Sequence, residues 1–82
     1  MTDKGLRLDM AASYRICVQG YLDASWSGRL GGMTITATNQ VDKAPVTTLS
    51  GRLLDQAALF GVLNALYDLH LPLLSVECQS YE

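Results

Sequence analysis

The chain has 82 residues, 49% of them hydrophobic and 17% charged, with a formal net charge of −2. That length leaves room for one core and excludes two, and the apolar share excludes a disordered chain. Six basic residues scattered along an acidic chain offer no stripe for a phosphate backbone to follow, which argues against nucleic acid as a partner. The most apolar stretch is broken by Asn64, Asp68 and His70, well short of the about 18 continuous apolar residues that span a bilayer, so no membrane partner is expected.

Residues 1–13 show neither helical nor strand periodicity and lack the apolar run of a secretory leader, and they read as a flexible N-terminal tail ahead of a single domain over 14–82. With no sign of export in these residues, a cytoplasmic location is the expectation. From Tyr14 the pattern alternates. Tyr14, Ile16, Val18, Gly20 and Leu22 face one way, and Arg15, Cys17, Gln19 and Tyr21 the other, which predicts a strand with one buried face. Asp23 to Gly32 opens on a cap-type residue and closes on two glycines, predicting a helical turn or compact loop as a short bridge between the first two strands.

Met33, Ile35 and Ala37 alternate with Thr34, Thr36 and Thr38, a β-branched row that suits a half-solvated second strand. A polar link from Asn39 to Pro45 then forms a hairpin with a third strand, Val46 to Leu53. Asp55 has the chemistry of an N-cap, because its carboxylate can accept orphan amides of the first turn, and a helix follows from Gln56 to about Leu69. Its core stripe is Leu59, Val62, Leu63, Leu66 and Leu69. Phe60 and Tyr67 lie roughly 80–100° round from Leu59, which widens the apolar sector beyond what one sheet covers. Pro72 stops the helix, and Leu73 to Gln79 reads as a fourth strand running parallel to the third.

These elements give an α+β domain of the β-β-β-α-β kind: a four-stranded mixed sheet with one helix on one face. Strands one to three are expected as an antiparallel meander, with strand four beside strand one at an edge. The residues also resemble a family of small uncharacterised bacterial proteins. The matching pieces are Trp26-Ser27, then Thr47-Thr48-Leu49-Ser50-Gly51-Arg52-Leu53, then Asp55-Gln56-Ala57-Ala58-Leu59, and finally Leu71-Pro72-Leu73-Leu74-Ser75-Val76. The resemblance supports the fold and implies no substrate or catalytic residue. It differs at His70, where the resembling sequences carry a glycine, so a different helix end is expected here.

The side chains that could carry chemistry have structural readings beside the functional ones. Asp55-Gln56 could pair an acid with an orienting amide, but its place before an apolar-periodic helix makes Asp55 a helix cap. His70, the sole histidine, suits the helix carboxy terminus, and with two distant cysteines it falls short of a metal site. Cys17 and Cys78 read as reduced thiols. No glycine cluster leads into a phosphate loop, and Ser50-Gly51 lacks the first glycine of a nucleophile elbow.

A domain this small commonly needs extra burial from subunit contacts. The reading is a homo-oligomerising, non-catalytic protein-interaction module with no cofactor, whose partner is itself or another protein, with Phe60 and Tyr67 at the contact. Against this, residues Leu6, Leu8 and Met10 could fold back over the same stripe. The alternative function is small-molecule binding at a subunit boundary, with Trp26 as platform and Arg29 or Arg52 supplying charge.

Overall fold

The computed structural model describes residues 5, 7–39 and 42–81. Four strands, β1 (Ala12–Gln19), β2 (Thr34–Thr38), β3 (Val46–Leu53) and β4 (Leu73–Tyr81), form one open sheet. A 3-10 helix (Ala24–Arg29) lies between β1 and β2, and α1 (Gln56–Asp68) lies between β3 and β4. The order β-β-β-α-β is the expected one. The alternation read from the sequence also holds on β1, where Tyr14, Ile16 and Val18 are buried on the helix side. Leu49 and Leu53 of β3 share that side, and Leu59, Val62 and Leu66 of α1 close the cluster over them. Leu63 and Leu69 pack against the cluster half-buried.

The strand order corrects the expected meander. The sheet runs β2-β3-β1-β4, so β4 lies beside β1 at an edge as expected, but β1 pairs on its other side with β3 and not with β2. Every ladder is antiparallel, and the sheet is not mixed. β3 and β4 do point the same way, but β1 lies between them. The reason is the link between β1 and β2, which holds the expected helical turn, as the 3-10 helix, but reaches further than a short bridge. Gly20, at φ +121°, turns the chain out of β1, where a Cβ would stand 2.7 Å from Leu71. The link then buries Leu22, Leu30 and Met33 and passes beyond β3 before β2 begins. Gly51 on β3 permits that crossing, since a Cβ there would sit 3.3 Å from the Met33 Cα. The strand with the most core-facing apolar residues thus takes a central place, and the threonine-rich strand goes to an edge.

One buried polar side chain fastens the turn out of β1. Thr47, with no exposed surface, donates from Oγ1 to the Gly20 carbonyl at 2.7 Å and accepts from the Leu22 amide at 3.1 Å. The bond to the Leu22 amide is buried, so that donor is satisfied away from water.

The tail ends earlier than read from sequence: Ala12 and Ser13 belong to β1, and Ala12 is buried. Residues Arg7–Met10 form a turn whose Leu8 carbonyl accepts the Gln56 amide at 2.8 Å. That satisfies one orphan donor of α1 and leaves the Leu8 side chain exposed. Met10 is half-buried, and Leu6 lies outside the described residues.

Candidate functional site

β4 occupies one edge of the sheet, and all nine of its residues are exposed. Its register against β1 places Leu73, Val76, Cys78 and Tyr81 opposite Val18, Ile16, Tyr14 and Ala12, on the helix side. Ser75 and Glu77 lie opposite Cys17 and Arg15 on the outer side. α1 stops short of this strand, so an apolar row that would be core in a covered sheet meets solvent, with Val76 at 37% and Leu73 at 53% exposure. The regular pairing from Ser75 to Cys78 is bounded at both ends by register shifts.

The helix flank beside this row is apolar too. Tyr67 joins Leu63, Leu66, Leu71, Pro72 and Leu73 in lining a groove of about 270 Å³ between α1 and the start of β4. Phe60, two turns back on the same stripe, is 60% exposed and Tyr67 76%. Both side chains singled out from the helical wheel therefore stand open. The turn at Leu8 reaches only the amino end of the helix, where Leu8, Asp55, Ala57 and Phe60 border a shallow hollow.

Of the residues considered for a small-molecule site, two come together and one does not. Trp26 and Arg29 share the 3-10 helix, with the guanidinium 5.3 Å from the indole centroid. With Ser25 they line an open hollow of about 330 Å³. Arg52 instead borders a hollow with Ala11, Ser13, Ser80 and Tyr81. No other described element closes over the Trp26 hollow. Asp55 is the helix cap: its Oδ1 accepts the Ala58 amide at 2.8 Å. Gln56 donates from its side-chain amide to the buried Tyr14 hydroxyl.

The helix end keeps its left-handed residue although glycine is absent. His70 adopts φ 61°, its amide donates to the Tyr67 carbonyl, and the Leu71 amide reaches back to the Leu66 carbonyl at 3.2 Å. That pair of bonds is a Schellman motif, so the expectation of a different helix end is corrected. The helix ends by this motif, three residues ahead of Pro72.

Cys17 and Cys78 are free thiols on opposite faces of neighbouring strands, an arrangement that a disulfide cannot bridge. On the outer face, hydrogen bonds with Ser75 and then Thr48 hold the Cys17 thiol below its usual pKa, against the opposing effect of burial. The expected pairing of β4 with β1 does set Ser75 beside Cys17, whereas Thr48 was missed because β2, not β3, was expected on the other side of β1. Among the described residues no three His, Cys, Asp or Glu side chains converge on a common point. No described helix is long and apolar enough to cross a membrane.

Comparison with family models matches residues 13–77 to a domain of unknown function, DUF8691. The chain belongs to the DUF8691 family. The DUF8691 match spans nearly all of β1, then β2, β3 and α1, and reaches Glu77 in β4. Phe60, Tyr67 and Val76 thus fall inside the DUF8691 domain, and the end of β4 falls beyond the match. Comparisons with curated proteins and with solved structures return no match.

Proposed function

We propose that this chain is a small homo-oligomerising, non-catalytic protein-interaction module working in the cytoplasm of a bacterium. The observation that carries the reading is β4: a nine-residue edge strand, exposed throughout, with an apolar row on the side where the rest of the sheet has its core. Such an edge presents unpaired backbone groups in strand geometry, and long exposed edges pair with other chains unless something blunts them. β4 contains no proline or lysine. Phe60 and Tyr67 beside it add aromatic surface of the kind enriched at subunit contacts, where burying such a side chain is worth about 1.5–3 kcal/mol. The free thiols fit a reducing compartment. Sedimentation equilibrium of the full chain at micromolar concentration is the test. An oligomer that weakens in the Phe60→Glu or Tyr67→Glu variant supports the reading, and a monomeric wild-type chain overturns it.

A further inference from the structure

We propose that two copies of this chain join through their β4 edges, antiparallel, about a two-fold axis at Val76, so that the two sheets run on as one. The inference rests on the self-association reading above and names its surface and register. Of the two edge strands, β2 has five residues, whereas β4 has nine. Short edges are poor templates, so the pairing capacity lies at β4. A second copy is the occupant that matches, because an isologous contact requires a strand complementary to itself, and β4 supplies one about Val76, whereas an axis at Ser75 would set Leu73 against the Glu77 carboxylate.

An antiparallel pair about a two-fold axis places one residue opposite its own copy. The midpoint of β4 is Glu77, and an axis there would set two carboxylates directly opposite, an unfavourable cross-strand pair. An axis at Cys78 would set Val76 against Ser80 and Ser75 against Tyr81 of the second copy, mixing apolar with polar. At Val76 the residues from Leu74 to Cys78 segregate, and the mismatch of Leu73 with Gln79 is left to the rim beyond them. Val76 meets Val76, Leu74 meets Cys78, and Ser75 meets Glu77 of the second copy. Glu77 keeps its own Arg15 across the ladder with β1 and gains a hydroxyl on its other side. The contact centres within the regular Ser75–Cys78 segment, between the two register shifts. On the helix side it joins the exposed Val76 rows of both copies and brings the two grooves beside Tyr67 and Leu73 toward a common apolar strip.

Directly opposed residues of an antiparallel ladder have Cα atoms about 4.5–5.5 Å apart, within the reach of a disulfide. The full chain carrying Val76→Cys, with Cys17→Ser and Cys78→Ser, is oxidised mildly and run on a non-reducing gel, with its fold checked by circular dichroism. The expected result is conversion of most of the protein to a covalent dimer. The wild-type chain, whose Cys78 faces Leu74 of the second copy, stays uncrosslinked. Leu74→Cys with Cys78 retained and Cys17→Ser gives a second route to the same covalent dimer should Val76→Cys misfold. If sedimentation shows an oligomer but neither variant crosslinks, or if native Cys78 crosslinks to itself, this surface and register are overturned and the self-association reading stands. A chain that sediments as a monomer overturns both.

Discussion

The thiol of Cys17 sits on the outer face of the sheet, bracketed by hydroxyls from the strands on either side. Thr48 on β3 approaches it at 3.6 Å and Ser75 on β4 hydrogen-bonds it from the other edge. Both favour the thiolate, so the folded-state pKa is lowered and Cys17 binds its proton less tightly folded than unfolded. The sign for stability follows. This contribution is present at pH above the unfolded thiol's pKa and is lost as pH falls through the lower folded value. In a Cys78→Ser variant, the pH midpoint for alkylation of Cys17 is expected to lie lower in the native chain than in denaturant, and Ser75→Ala is expected to raise the native midpoint. Equal midpoints in the native and denatured chain would contradict the assigned role of the two hydroxyls. Asp55 was legible at this scale because a cap needs only its own helix. The Cys17 trio was not, since the residues are remote in sequence and meet only through strand order.

At the scale of elements, the helix end carries a cost that can be measured. His70 holds a left-handed conformation that costs a residue with a Cβ roughly 1–2 kcal/mol, and the Schellman bonds of His70 and Leu71 fix it there. Glycine removes that cost but gives back some in the entropy of the unfolded chain, so His70→Gly is expected to stabilise the protein by about 0.5–1 kcal/mol. Urea unfolding followed by circular dichroism checks this, and a loss of stability would mean that the imidazole makes a contact outweighing the strain. The bounds of β2, β3 and α1 were readable because each has its own period and stop signal. Of the strand arrangement, the place of β4 beside β1 at an edge was readable, but the place of β1 next to β3 was not. The link between β1 and β2 resembled a loop by composition, and nothing local announced that Leu22, Leu30 and Met33 would be buried within it and carry the chain past β3. Pairing of β1 with β3 is set by which strand buries most when central, a comparison that only the assembled sheet makes.

For the whole molecule, one helix of thirteen residues covers a core built chiefly on β1 and β3 and leaves β4 bare on both sides. The sequence pointed to surplus apolar surface on the helix at Phe60 and Tyr67, and both are exposed. It placed β4 at an edge beside β1, as the sheet has it, but did not single out its apolar row, because Leu73-Leu74-Ser75-Val76 reads as a buried strand by composition alone. Self-association through this strand would protect its outward amides, and that protection would depend on protein concentration, since pairing is governed by mass action. The most direct measurement is native-state hydrogen exchange, residue by residue, on the full chain over a range of concentrations. The account predicts that amides between Leu74 and Cys78 slow as concentration rises while those of the β2 edge keep one rate throughout. Exchange at β4 that is equally fast at every concentration would contradict it.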